Sequence, residues 1–414
     1  MDIVILNDNA HVTGGGGKVA LGSAKGLARR GHRVSLMTAV GPVAPDLVGV
    51  RGLEVICTGQ QEILTDPNRV RAAVQGYWNR TTAAALSQLL SRLDPAATVV
   101  HLHTWGKALT SSVLRATIDA NFPLICTLHD YALACPTGGL FHHRREEICQ
   151  LRPMSTQCLL TNCDTRNYGH KLWRFGRELV QIGPGRVPGG IRHFIALSRL
   201  SLEVMKPFLP ADAEIHFVPN FTEAQRGAPV PVDRNNRFVF VGRLVREKGP
   251  HLFAECARRL DLNAVFIGDG EFRNKVLELY PKAVVTGWIG AQQVTAQMEQ
   301  ARALVFASLW YEVQPLAILE AAAMGIPAIV PDTSAARELI VDGETGLLFR
   351  GGSADSLMEA LAVMQDPATA SRLGGAAHRR FWSRPLTLDF HLDELEAVYT
   401  GMLAGDRMSA AVAN

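Results

Sequence analysis

Five short apolar runs recur in the second half of the chain: FVFVGR (238–243), NAVFIGDG (263–270), AVVTGWIG (283–290), ALVFAS (303–308) and PAIVPD (327–332), with helical spacing between them. Runs of this length suit strands covered on both faces, and strands alternating with helices build a doubly wound parallel sheet. The first half repeats the pattern. DIVIL (2–6) leads into a glycine-rich turn, a helix over Val19–Arg30 ended by Gly31, and a strand at HRVSLM. Further strands are expected at TVVHLH (98–103), PLICTLHD (123–130) and FIALS (194–198), and helices at 69–92, 106–119 and 199–207.

Periodicity fails in VPNFTEAQRGAPVPVDRNN, where proline, asparagine and charge accumulate, so residues 218–236 read as a linker between two α/β domains. A chain of 414 residues with 47% hydrophobic content supports two such cores. The expected division is 1–217, with an irregular insertion at 131–169, against 237–385; the last segment, about 386–414, either caps the second domain or crosses back to the first, and the pattern alone favours neither. Ligands of open α/β sheets bind beyond the C-terminal strand ends, which predicts a cleft lined by both domains.

A net charge of +3 gives no general electrostatic case for nucleic acid, so an acidic ligand has to be held locally. The opening MDIVILNDNAH contains Asp2 and Asp8 and lacks the pattern of a secretory leader. No apolar run approaches the roughly 20 residues that span a bilayer, so a cytoplasmic protein is expected.

Arg243 follows an apolar strand and a glycine, and Lys248 lies five positions later at a helix start. A planar guanidinium fork beside a compact ammonium suits a departing diphosphate, while two solvated cations at a helix cap are the plainer reading. Glu312 and Glu320 stand eight residues apart around the next helix start, where one carboxylate can meet a sugar and the other a ribose. Carboxylates there are also ordinary helix-dipole partners. Between the first strand and helix, Thr13-GGGG-Lys18 offers backbone N–H groups to an anion without matching a Walker loop or a dinucleotide fingerprint. His101, His103 and His129-Asp130 close two strands, and His129 is the choice for a sugar contact.

Cys135, Cys149, Cys158 and Cys163 fall within the insertion. They offer a tetrahedral zinc set, or simply reduced thiols, since no compact CxxC knuckle is present. After them, YGHKLWRFGRELVQIG (168–183) mixes aromatics with Lys171, Arg174 and Arg177. It reads either as a packed helix with solvated cations or as a peripheral contact with the inner face of a membrane.

Taken together, G242-R243-x4-K248-G249, G268-D269-G270, E312-x7-E320 with AAAMGIP, the glycine-rich loop and CTLHD ending at Asp130 closely resemble retaining glycosyltransferases of family 4, over nearly the full length. The resemblance implies the GT-B fold: two facing Rossmann-like domains with a central cleft, the segment after Trp382 crossing back to the first. It implies that Arg243 and Lys248 hold the donor diphosphate, Glu320 the ribose and Glu312 the transferred sugar, with Gly268 in the donor site. Gly16, Gly17 and His129 would meet donor phosphate or sugar from the first domain. A hexose would pass from a nucleoside-diphosphate sugar, UDP before GDP, to a saccharide or lipid-linked saccharide of cell-surface glycan. No catalytic cofactor is implied, and no DxD motif is present.

The chain departs from the family pattern at Gln314-Pro315, where many members carry Phe-Gly, and at Ala335-Ala336, where many carry a glycine pair. A nucleotide-sugar epimerase and a non-catalytic sugar-nucleotide sensor are the competing readings. Glycoside hydrolysis is weaker, because its carboxylates must flank a scissile bond.

Overall fold

Parallel strands form from the buried apolar runs, and helices form where the apolar period lengthens. The computed structural model describes residues 1–412, with side-chain burial described through residue 405. The first half runs β1 (Asp2–Leu6), α1 (Gly15–Arg29), β2 (Arg33–Val40), β3 (Leu53–Gln60), α2 (Arg69–Tyr77), α3 (Arg80–Leu90), β4 (Thr98–Leu102), α4 (Ser111–Asp119) and β5 (Leu124–Thr127). It continues through a small hairpin, β6 (Phe141–His142) and β7 (Glu147–Ile148), then α5 (Thr156–Leu160), α6 (Tyr168–Ile182), β8 (His193–Ala196), α7 (Arg199–Met205) and β9 (Glu214–Phe217). The second half runs β10 (Arg237–Val241), α8 (Pro250–Arg259), β11 (Asn263–Ile267), α9 (Arg273–Leu279), β12 (Val284–Val285), α10 (Ala291–Met298) and β13 (Ala301–Val305). It ends with α11 (Leu316–Met324), β14 (Ala328–Pro331), β15 (Gly346–Phe349), α12 (Ala354–Met364), α13 (Pro367–Ser383) and α14 (Leu388–Val412).

Two compact units result: one takes residues 1–138, 151–220 and 388 onward, the other 139–150 and 221–387. In the first, seven parallel strands lie in the order β3-β2-β1-β4-β5-β8-β9. In the second, six parallel strands lie in the order β12-β11-β10-β13-β14-β15. Strand order reverses between β1 and β4 and again between β10 and β13, and such switch points open a crevice at the C-terminal strand ends. Strands β3, β9 and β15, which the apolar pattern passes over, are all edge strands, where one flank lacks a neighbour and the apolar run shortens.

Several expected elements change for local reasons. The helix expected over 69–92 breaks at Trp78, because the Asn79 side chain caps the second segment through Thr82 N (3.2 Å) and bonds Ala108 O (2.8 Å). The helix expected from residue 106 starts only at Ser111, since the N–H groups of Lys107, Ala108 and Leu109 all donate to the buried Asp8 carboxylate. Part of the expected linker is core: Val232 is buried, and the Arg302 guanidinium binds the carbonyls of Val232 and Asn235 at 2.7 Å. The hairpin stretch 139–150, left inside the first-domain insertion by the sequence pattern, packs with the second unit, whose core buries Phe141.

Helix α14 completes the first unit against α1. Gly26 admits it, as a Cβ there would stand 2.6 Å from Leu392 Cδ1. Arg30 binds Asp393 at 2.6 Å and Glu396 at 2.9 Å, and His391 reaches Ser23 Oγ (3.0 Å) and Pro219 O (2.8 Å).

Candidate functional site

In the second unit three loops leave the C-terminal ends of β10, β11 and β13 and are tied together by glycine. Gly268 has φ 143°, and a Cβ there would lie 2.0 Å from Gly242 O. Gly249 has φ 66°, and a Cβ there would lie 2.0 Å from Ala307 O. Both positions need a left-handed backbone and a contact that no side chain permits.

Those loops deliver Lys248 and Glu312 to one place. The Lys248 ammonium donates to Glu312 Oε1 at 2.5 Å, and the same oxygen accepts from Ser308 Oγ (2.9 Å) and Trp310 Nε1 (2.6 Å). Glu312 is buried, and Ala335 N–H donates to its backbone carbonyl at 3.2 Å. The rings of Phe306 and Trp310 lie 6.0 and 5.7 Å from the ammonium, within cation–π range. An ammonium has three donors and Glu312 takes one, so the charge is oriented with capacity to bind an anion.

Arg243 is exposed at the end of β10, and its side chain makes no ion pair among the described residues. Glu320 is half-buried on α11. Pro315 is the N-cap of that helix, a position whose N–H has no intrahelical acceptor, so its missing donor costs the helix nothing. Arg246 and His251 are both held by Glu146 of the β6–β7 turn, at 2.7 and 3.0 Å. Ser308, Trp310 and Glu146 were missed by the sequence pattern. SLWYE placed the first two beside Glu312, but no local signal links Glu146 to residues a hundred positions away.

In the first unit, Gly16 and His129 are neighbours, since a Cβ on Gly16 would lie 3.2 Å from His129 Cγ and 3.4 Å from Nδ1. Gly17 is buried in the same first turn of α1. His129 Nε2 pairs with His103 Nδ1 at 2.9 Å, which leaves Nδ1 on the side of the α1 N-terminus. Asp130 accepts from Ala132 N at 2.9 Å and caps that turn. His101 is fully buried between Tyr399 OH (2.6 Å) and Thr127 Oγ1 (2.7 Å). Burial pushes His129 down to about 3 and His391 down to about 4, and it holds His101 and His103 well below the ordinary histidine range.

These depressed values make the unfolded chain bind protons first as pH falls below 6.5, so the buried histidines withdraw stability on acidification. Glu178, pushed up to about 7 by burial, acts in the opposite sense, favouring the fold below that value. His391→Gln should therefore flatten the dependence of stability on pH between about 6.5 and 4 by roughly 1 kcal/mol per pH unit. Urea unfolding at pH 6, 5.5 and 5 reads that slope, and parallel curves for the two proteins would contradict the assignment.

The four cysteines are not gathered as one set among the described residues. Cys149 belongs to the 139–150 stretch of the second unit, while Cys135, Cys158 and Cys163 surround the buried Lys171 ammonium, which donates to Cys158 Sγ at 3.4 Å. Burial pulls Lys171 down, but the three sulfurs outweigh it and leave the ammonium raised, while burial raises the Cys163 thiol. A cation already stands among the sulfurs expected to ligate zinc, and the tetrahedral set read from the sequence is not assembled.

Two family profiles match the chain: "Glycosyl transferase 4-like domain" over residues 14–154 and "Glycosyl transferases group 1" over 235–366. A GDP-mannose-dependent alpha-mannosyltransferase of Mycolicibacterium smegmatis is 34% identical over 172 residues, 42% of this chain and 45% of that protein. The match thus spans under half the length of that relative. Alpha-maltose-1-phosphate synthase of Mycobacterium tuberculosis is 28% identical over 331 residues, 72% of this chain and 79% of that protein. Among solved structures, Anabaena HepE in complex with UDP and glucose superposes with a TM-score of 0.68 at 14% identity, over 97% of this chain and 100% of that one, a likeness of fold.

Proposed function

The chain belongs to the family 4 glycosyltransferases of the GT-B fold, and on that footing we propose that it moves a hexose, with retained anomeric configuration, from a UDP- or GDP-sugar to a saccharide or lipid-linked saccharide in cell-surface glycan synthesis. The observation that carries the reading is the Lys248–Glu312 pair at the C-terminal ends of β10 and β13. Lys248 and Arg243 take the charge that develops on the departing diphosphate, a contact stronger in the transition state than with bound donor. Glu312, fixed by Ser308 and Trp310, positions the transferred sugar, and Glu320 meets the ribose. Gly268 keeps the loop backbone close to the donor, and within the first unit Gly16, Gly17 and neutral His129 offer groups that suit a phosphate or sugar.

NMR-monitored turnover of a panel of UDP- and GDP-sugars, with and without cell-envelope lipid extract, tests the reading. Donor-selective release of nucleoside diphosphate, stronger with extract and lost in Glu320→Ala, is the expected result. Epimer formation without release would replace the reading with an epimerase, and saturable binding without turnover would replace it with a sensor.

The lipid-linked acceptor is favoured by an inverted helix. Helix α6 buries Lys171, Glu178 and Gln181, while Leu172, Leu179 and Ile182 are 41%, 55% and 47% exposed. Helix α2 packs beside it, with Gly76 against Trp173, and exposes Val70 and Val74. Arg166 and Arg186, both exposed, flank α6 along the chain, and the combination suits an anionic bilayer surface. No helix among the described residues is long and apolar enough to cross a membrane. Leu172→Ser with Leu179→Ser should lower partition onto phosphatidylglycerol-containing vesicles roughly tenfold, as about 1.4 kcal/mol of lost apolar burial implies. Equal co-sedimentation of variant and parent would remove α6 from the proposed contact.

A further inference from the structure

At the other end of the first sheet, away from His129, three ligating side chains converge on the edge pair β8–β9. His193 opens β8 and is in register with Glu214, which opens β9, and His216 follows two residues later on the same strand face. His193 Nδ1 lies 3.3 Å from His216 Nε2 and 3.6 Å from Glu214 Oε2. The three ligand atoms all lie within 4.8 Å of one another, and among the described residues no other His, Cys, Asp and Glu group of three or more meets that condition.

Those separations match a metal's coordination sphere. Two nitrogens each about 2.0–2.1 Å from zinc and subtending a tetrahedral angle stand about 3.3 Å apart, and a carboxylate oxygen at a similar distance stands slightly further from either. We propose that His193, Glu214 and His216 form a zinc-binding site of the two-histidine, one-carboxylate type, with its fourth position facing the adjoining cavity.

That cavity, about 680 Å³, is lined by the same three residues together with Arg192 and, from α14, Glu394 and Met402. Arg192 binds Glu214 at Oε1 (2.7 Å) and leaves Oε2 turned toward His193, as an outer-shell partner orients a ligating carboxylate. Bound zinc would strap β9, the outermost strand, to β8. The simpler account of the same geometry is a hydrogen bond between the two imidazoles.

Zinc and cobalt titrations of the untagged, full chain distinguish the two. One equivalent of zinc is expected to bind and raise Tm, and the cobalt complex should show ligand-field bands without a thiolate-to-cobalt charge-transfer band. His216→Ala should weaken binding at least about 100-fold and abolish the Tm shift. Glu214→Gln, which keeps the size and polarity of the side chain, should weaken it at least about tenfold, with the metal-free Tm reporting whether each variant folds. Binding of parent strength in folded His216→Ala and Glu214→Gln, the absence of saturable zinc binding, or a thiolate band placing the metal on the cysteines would each overturn the proposal.

Discussion

Replacing Lys248 by alanine is expected to lower sugar transfer by two to three orders of magnitude, the scale seen when one preorganised donor to a developing negative charge is removed. The expectation follows from the proposed transfer and from how the ammonium is held. Glu312 takes one of its three N–H donors, the Phe306 and Trp310 rings flank it, and Gly249 fixes the loop that carries it. Lys248→Arg should restore little, because a planar fork does not occupy the position of a compact ammonium between those rings. Glu312→Gln can keep the Ser308 and Trp310 hydrogen bonds while losing the ion pair, so its effect combined with Lys248→Ala should be less than additive. Single-turnover release of nucleoside diphosphate measures the four variants against the parent. A Lys248→Ala rate within threefold of the parent would remove the lysine from the chemistry.

The second large effect concerns folding. Gly268→Ala would set a Cβ 2.0 Å from Gly242 O and 2.9 Å from its carbonyl carbon, at φ 143°. Gly249→Ala repeats the problem against Ala307 O at φ 66°. Backbone strain of this kind costs about 1–3 kcal/mol, and relieving the overlap has to separate loops that the strand ends hold together, so each variant should lose most of its soluble yield. Gly14→Ala is the control, since its φ of 165° is extended and nothing lies within 4 Å of an added Cβ. Soluble expression and the urea midpoint read the difference, and a parent-like midpoint for Gly268→Ala would show that the loops part without cost.

Much of the second-unit site was legible because its parts lie beside local signals. Lys248 follows an apolar strand and a glycine, and Glu312 precedes a helix start, so periodicity alone put both at strand ends. The sequence could not show that the Glu312 oxygen held by the neighbouring Ser308 and Trp310 also takes the Lys248 ammonium, because that donor arrives only when β10 and β13 lie side by side. Helix boundaries failed at 69–92 and 106–119 for a related reason. Asn79 and the backbone of residues 107–109 answer to partners far along the chain, and those bonds override a continuous helical period.

By itself the sequence determined two parallel α/β sheets, the strand ends that carry glycine, lysine and glutamate, and membership of a family of sugar transferases, because each is written in neighbouring residues: an apolar run, a turn residue, a short motif. Only the tertiary structure decided that residues 139–150 pack with the second unit and bring Glu146 to Arg246 and His251, that α14 packs on α1, and that His193, Glu214 and His216 meet at a sheet edge. Those associations depend on which buried surfaces and charges find one another across a hundred residues or more of chain, or across a strand register that a two-residue period does not specify. Local pattern sets the elements, and long-range packing selects their partners.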